Sequence, residues 1–350
     1  MTEARADRRS ITDYVRWDVT VGVLLVLLFA ISYVSVSHFS NSLNIAFLIG
    51  NTLPIAFIAL PMCMLVASGE IDLSVGSMVG LSSAIMGALW NDGWSIETII
   101  PFCLLVGVAG GLFNGLLVTR LGLPSLAVTI GTLAAYRGLA QIILGANAVT
   151  DFPQQYLDFG SGRYGTSPIP KAAAAYLVLL VLAVIAMHGS RFGRALFAIG
   201  ASRQAAFFSG LRVKRYKLIM FVLTGLISAA TGVFWTLHYA SARYDNATGL
   251  ELSVVAAVLL GGVDFDGGKG TIGGVVAGVF LLGTLQNVMS LLNVSSTSQT
   301  IVTGGLLVLS VLAPRAGRQI ATARARRRQT RPPDSDTVRI GSASAPPIPS

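Results

Sequence analysis

Acidic side chains are scarce in this chain, and their scarcity narrows what it can be. Aspartate and glutamate number 16 in 350 residues, against 25 lysines and arginines, and charged residues together make up 12%. A soluble domain carries about 25%, so a single water-facing globule is excluded. Only two cysteines occur, Cys63 and Cys103, both inside apolar runs. That excludes a disulfide framework and a thiolate metal site. The three histidines, His38, His188 and His238, are scattered at the ends of apolar runs and suggest neither a ligand cluster nor a proton relay. No acidic residue falls well inside an apolar run, which argues against proton-coupled transport, since that usually needs an intramembrane carboxylate.

What the chain has in abundance is oil. Hydrophobic residues make up 53% and mean hydropathy is +0.70. The apolar runs approach the roughly 20 residues that a bilayer demands, and they do not alternate as barrel strands would. The fold class expected is an all-α polytopic membrane protein. The first run lacks a small-residue cleavage site and is read as a retained span rather than a signal peptide.

Spans are expected at about 18–37, 45–67, 73–90, 97–119, 125–145, 171–189, 217–238, 251–263, 271–291 and 298–313. Residues 1–17 then form a polar N-terminal segment, 18–313 the transmembrane domain, and 314–350 a basic, Pro/Ser-rich tail unable to bury a core. Ten spans put both termini and the basic segment 190–217 on one side. The opposite side keeps only Arg163, Lys171 and Arg243, with Arg137 inside a span. Cytoplasmic loops are the basic ones, so both termini are expected in the cytoplasm. The net charge of +9 follows from this bias and calls for no nucleic acid.

Within spans, Gly107, Gly111 and Gly115 recur at four-residue spacing, as do Gly274 and Gly278. Small residues at that period let helices approach closely in lipid. Polar groups at membrane depth, Asn51, Asn114, Thr129, Thr132, Arg137, Gln141 and Asn287, are candidates for a translocation path. Arg137 stands out because an intramembrane charge is costly; snorkelling, or pairing with Asp151 or Asp158, would relieve it.

The segment 190–217 carries Arg191, Arg194, Arg203, Arg212, Lys214, Arg215 and Lys217 and no acid. Ser202 is placed to cap a short helix and Gly210 to end it. Between them stand Gln204, Ala205, Ala206, Phe207 and Phe208. Such a helix fits a cleft on a soluble partner, with the two phenylalanines as knobs, or rests on lipid headgroups.

Two turns invite closer reading. The stretch Gly69-Glu70-Ile71-Asp72-Leu73-Ser74-Val75-Gly76 falls between two spans. Asp72 or Ser74 is placed to cap the following helix, while Glu70 and Asp72 are the acids available to the basic loop or to a partner. The stretch from Asp264 to Thr271 has Gly267, Gly268, Lys269 and Gly270. It is no phosphate loop, because Val263 stands where the first Gly belongs and Gly270 where Ser or Thr must follow Lys. Nor does it carry the oxygen ligands of a calcium loop. It reads as a tight turn, and the chain offers no nucleotide site of its own.

Four stretches together resemble the ribose/xylose/arabinose-type sugar permeases of bacterial ABC importers. They are Ser68 to Gly76; Asn114-Gly115 running on to Leu123-Pro124-Ser125; Gly193-Arg194 through Ile199-Gly200 to Gly210; and Gly267 to Gly273 with Asn287 beyond. They span roughly residues 45–313. Residues 203–210 are similar to the Glu-Ala-Ala-x-x-x-Gly coupling loop of such permeases, with Gln204 in place of the glutamate; that substitution and the arginine-rich tail depart from the pattern. The resemblance implies a non-enzymatic subunit in the bacterial inner membrane and a monosaccharide delivered by an extracytoplasmic binding protein. It also implies a second permease copy or paralogue, and cytoplasmic ATPase subunits that bind the ATP and magnesium and engage the 190–217 loop. An ABC permease for branched-chain amino acids or for a sugar-like signal molecule, or a secondary transporter, are the alternatives.

Overall fold

The computed structural model describes residues 11–310 and 312. The first ten residues and the basic tail expected over 314–350 lie outside them. Among the described residues every regular element is helical, and strand pairing is limited to the isolated bridges Val149–Ala242 and Arg163–Pro170. The helices are α1 (Ile11–Ser35), α2 (Ser42–Ala67), α3 (Val75–Asn91), α4 (Ile96–Thr119), α5 (Ser125–Leu144), α6 (Gln154–Ser161) and α7 (Ala172–Val184, extended by a π-helical turn Ile185–Gly189). They continue with α8 (Arg191–Ala201), α9 (Arg203–Phe208), α10 (Val213–Tyr239), α11 (Leu250–Leu260), α12 (Ile272–Leu291) and α13 over residues 296–310.

Seven of the described helices are long and apolar enough to cross a membrane: α1 from Trp17, α2, α4, α5, α7 with its π turn, α10 and α12. The remaining runs form shorter helices. The run 251–263, expected as a full span, is corrected to a helix of 11 residues. At 1.5 Å per residue that is about 16 Å, half of a hydrocarbon core about 30 Å thick.

Helix α10 is the centre of the bundle and packs on α2, α3, α4 and α6. The expected close approach at Gly107 and Gly111 is realised there. A Cβ on Gly107 would overlap the Gly225 carbonyl, and one on Gly111 the Phe221 carbonyl. Likewise Gly274 and Gly278 let α12 meet α11 backbone to backbone at Gly261. We expect Gly111→Leu to cost at least the upper end of the ~1–3 kcal/mol typical of overpacking, since the obstacle is main chain. Thermal unfolding in detergent checks this; a melting temperature equal to wild type would remove the crossing from the account.

The bundle has two recognisable ends. α10 starts at the basic segment and finishes at the opposite end, where α6 packs on it through Gly160 and Tyr156 donates a hydrogen bond to the Glu97 carboxylate. After α10 the chain does not remain outside the bundle. Gly87 of α3 lies against Ala242, Gly80 against the Tyr244 and Asn246 carbonyls, and Gly76 against Ala247 and Glu251. Eleven residues of α3 separate the first contact from the last, so residues 242–251 run about 16 Å along its axis. Non-helical residues 242–249 and then α11 thus follow one another along the bundle. The path requires left-handed backbone at Ala240, Ala247 and Gly249, and main chain of this kind is tolerated at membrane depth only where protein or a cavity covers it.

Candidate functional site

At the basic end the four sequence stretches come together. The Gly268 N–H donates to the Ala67 carbonyl at 2.8 Å. Gly200 is so closely packed that a Cβ there would strike both Ala67 and Gly268, and Gly267 abuts Gly69 and Gly200. The Asn114 amide donates to the Ser74 hydroxyl at 2.9 Å, and the Ile71 N–H to the Ser125 hydroxyl at 3.4 Å. The turns at 68–74 and 264–271 thus meet at the C-terminal end of α8, on which the basic segment begins, and the first of them also reaches α4 and the start of α5.

The stretch 68–76, expected as a turn between spans, is largely enclosed. Ser68, Asp72 and Ser74 are buried. Ser74 gives no side-chain cap to α3; instead Asp72 accepts the Ser74 N–H at 2.9 Å and hydroxyl at 2.6 Å, and the Thr224 hydroxyl at 3.2 Å. Glu70 forms an ion pair with Lys217 of α10, and both side chains are almost wholly enclosed, at 11% and 6% exposure. Lys217 is therefore not presented outward like the other cations of its segment. The stretch 264–271 is a tight turn, closed by the Gly267 N–H on the Asp264 carbonyl (2.9 Å) and the Asp264 N–H on the Lys269 carbonyl (3.1 Å), and Thr271 caps α12 through the Gly274 N–H.

Helix α9 projects from this junction. The Ser202 hydroxyl accepts the Ala205 N–H at 3.2 Å. At the other end the Gly210 and Leu211 N–H groups return to the Phe207 and Ala206 carbonyls, a Schellman closure that the left-handed φ of 82° at Gly210 permits. Ala206 faces inward against Ile199 and Val213. Phe207 and Phe208 do the opposite: they are 66% and 76% exposed and touch each other edge to face, with ring centroids 5.8 Å apart. A hollow of about 660 Å³ beside them is lined by Arg203, Gln204, Leu211, Arg212, Val213, Lys214 and Arg215. Arg191, Arg194, Arg203, Arg212, Lys214 and Arg215 are all exposed.

The seven polar candidates for a path do not gather in one place. Asn114, Thr129 and Thr132 are buried; Thr129 and Thr132 satisfy their hydroxyls on carbonyls of their own helix, and the Asn114 carbonyl oxygen has no partner. Asn287 pairs reciprocally with Asn44, at 3.0 and 3.1 Å. Gln141 is exposed on α5. Asn51 is exposed on α2, its amide 2.9 Å from His238 Nε2 and 3.3 Å from the Tyr239 hydroxyl.

Arg137 is a correction. It reaches neither Asp151 nor Asp158, and Asp158 is paired with Lys171. Its guanidinium donates to the carbonyls of Tyr244 (2.7 Å) and Asn246 (2.8 Å), and at 3.4 Å to that of Gly76. The charge is spent on the main chain of the irregular 240–249 segment, as irregular backbone at that depth requires.

Sequence reasoning missed Glu251. One carboxylate oxygen of Glu251 is buried without a partner, and the Arg137 charge acts on it. The signal available was an apolar run too short to cross, preceded by nine polar or small residues. With Asp72 it shows that carboxyls do lie inside the bundle. Among the described residues no group of three or more His, Cys, Asp or Glu is placed to hold a metal.

A family described as branched-chain amino acid transport system / permease component matches residues 44–311. The chain is similar to the L-arabinose ABC transporter permease protein AraH of Azospirillum brasilense, 36% identical over 295 residues, covering 83% of this chain and 86% of that one. It is also similar to the autoinducer 2 import system permease protein LsrD of Yersinia enterocolitica serotype O:8, 31% identical over 302 residues, covering 85% and 91%. LsrD of Yersinia pestis strain Pestoides F matches at 31% over 302 residues, covering 85% and 90%. No solved structure matches at a significant level.

Proposed function

Because the chain belongs to the branched-chain amino acid transport system / permease component family, we propose that it is the membrane-spanning permease subunit of an ATP-driven importer for a monosaccharide. It is a multi-pass protein of the inner membrane. The sugar comes from the arabinose relative. The family's own description names branched-chain amino acids, but the relatives described above are named for L-arabinose and autoinducer 2. The autoinducer-2 relatives make a sugar-like signal molecule the second reading.

The observation that carries the proposal is the meeting of two turns with the end of α8 beneath α9, whose exposed aromatic pair shares its hollow with four exposed cations, Arg203, Arg212, Lys214 and Arg215. Residues Arg203, Gln204, Ala205, Ala206, Phe207, Phe208 and Gly210 form the coupling surface. Two cytoplasmic ATPase subunits engage it and bind the ATP and magnesium, of which this chain holds none. Gly69, Glu70, Asp72, Ser74 and Gly76, with Gly267, Gly268, Lys269, Gly270 and Thr271, brace that surface against the bundle. Ten crossings, with the short α3, the half-length α11 and α13 among them, keep both termini and the 190–217 loop in the cytoplasm, as the charge distribution requires. An extracytoplasmic binding protein delivers the sugar to the opposite end, and a second permease copy or a paralogue completes the path. Asn51, Gln141 and Asn287 remain candidates for lining it, and Arg137 supports it from behind.

Uptake of labelled sugars by a deletion strain carrying wild type or Phe207→Ser/Phe208→Ser tests this reading. Both rings are exposed, so the double variant folds and inserts. Loss of two interface aromatics is expected to cut uptake about a hundredfold or more and to stop the ATPase subunits co-purifying. Full uptake by the variant, sensitive to uncouplers, would instead establish a secondary carrier.

A further inference from the structure

The end of the bundle opposite α9 holds a cluster that the coupling account leaves unused. Trp235 and Tyr239 lie one turn apart on α10, their ring centroids 4.9 Å apart at 50°. Tyr239 is 44% exposed and Trp235 half-buried. Beside them the exposed Asn51 of α2 meets His238 and the Tyr239 hydroxyl.

Hydrogen-bond logic fixes how these groups are presented. His238 Nδ1 lies 2.9 Å from the Gly160 carbonyl, which can only accept, so Nδ1 carries a proton. Its Nε2 faces the Asn51 Oδ1 at 2.9 Å, and the same oxygen accepts the Tyr239 hydroxyl at 3.3 Å. Two groups are left over by this arrangement: the Asn51 amide N–H groups and the lone pairs of the Tyr239 oxygen.

The imidazole cannot turn to undo it. It stacks on Phe234 at 5.4 Å and meets Tyr239 edge-on at 4.7 Å. Gly160 touches α10 at Leu237 and His238 so closely that a Cβ there would overlap main chain, and a Cβ on Gly50 would lie 2.8 Å from the ring. A fixed acceptor and a fixed donor thus stand next to two aromatic faces.

We propose that Asn51, Trp235 and Tyr239 form a contact site for the transported sugar at the outer mouth of the permease, with His238 as the residue that orients them. A pyranose or furanose offers C–H faces to aromatic rings and hydroxyls that both donate and accept, which is the complement of this cluster. Branched-chain amino acids offer an ammonium and a carboxylate, for which it holds no charge. The site rests on the importer reading above and assigns it a place where one sugar is told from another.

The test is the complete importer in proteoliposomes, with its ATPase and binding protein. Uptake of labelled L-arabinose, D-ribose, D-xylose and D-galactose is measured beside ATP hydrolysis stimulated by loaded binding protein. Asn51→Ala and Trp235→Leu are each expected to lower uptake about tenfold, a loss equivalent to one or two hydrogen bonds. Tyr239→Phe should change the order of preference among the sugars, while stimulated hydrolysis stays within about twofold of wild type. Trp94→Leu, in an exposed ring pair with Phe102 away from the cluster, is the control for a ring that merely sits at the bilayer surface. Variants that lose no more uptake than this control, with preference unchanged, would overturn the site. So would a parallel fall of uptake and hydrolysis, which marks a fault in folding or coupling. A wild-type importer that moves none of the four sugars would sink the monosaccharide reading itself, and the site with it.

Discussion

Arg137→Met should abolish uptake while the protein still inserts in the membrane. The side chain bridges two carbonyls of the irregular segment that no helix satisfies, those of Tyr244 and Asn246, and reaches the Gly76 carbonyl of α3 at 3.4 Å. A buried carbonyl deprived of its donor costs about 1–3 kcal/mol, so two short bonds alone account for roughly 2–6. The variant also removes the cation that acts on the half-buried Glu251 carboxylate, one oxygen of which already lacks a partner. Lysine is no substitute, because one ammonium on a flexible stem does not reproduce a planar fork. Arg137→Lys is therefore expected to keep only a minor part of the activity. Cleavage by added protease within residues 240–249 should accelerate in both variants. Adding Glu251→Gln to Arg137→Met should restore part of the stability and little of the uptake. Wild-type uptake by the methionine variant would show that the segment holds its shape without the guanidinium.

The second large effect is expected at the Glu70–Lys217 pair. It is nearly closed to solvent, and removing one member of such a pair leaves the other charge buried and uncompensated, at about 3–5 kcal/mol. Lys217→Met should therefore lower the melting temperature in detergent sharply. Glu70→Leu combined with it should recover most of the loss, because a well-packed apolar pair is often as stable as a buried ionic one. The recovered protein should still couple poorly, since the pair ties the start of α10 to the 68–76 stretch. If the double variant is no more stable than the single one, packing around Lys217 rather than charge sets the cost.

Much of this was legible in residue order. Runs of apolar residues long enough for a bilayer give the helices, because periodicity and length are enough where lipid is the solvent. Ser202 and Gly210 mark the ends of α9, since capping chemistry is local. The glycines of α4 and α12 announce close crossings for the same reason. What could not be read depends on which helices are neighbours. Asp72 looks like a turn residue from its flanks, yet it is enclosed by Thr224 and Asn114, far along the chain. Arg137 has two carboxylates within plausible reach in sequence, and it chooses main chain that only the descent of residues 242–251 brings to it. Lys217 counts as one more cation of a basic loop until α10 is seen to begin beside Glu70. The partners of the path candidates were equally out of reach, because polar residues at membrane depth serve packing as readily as passage.

One consequence of the α4–α10 crossing remains. Helix α10 has no proline and runs unbroken from Val213, next to α9, to Tyr239 at the outer cluster. It meets α4 backbone to backbone where Gly225 presses on Gly107 and Gly111, about 18 Å from one end and 21 Å from the other. Gly232 brings α10 equally close to the Val79 carbonyl of α3, and Gly160 of α6 abuts its outer end at Leu237 and His238. Gripped at several points along its length, α10 joins the coupling end to the outer cluster as one rigid element.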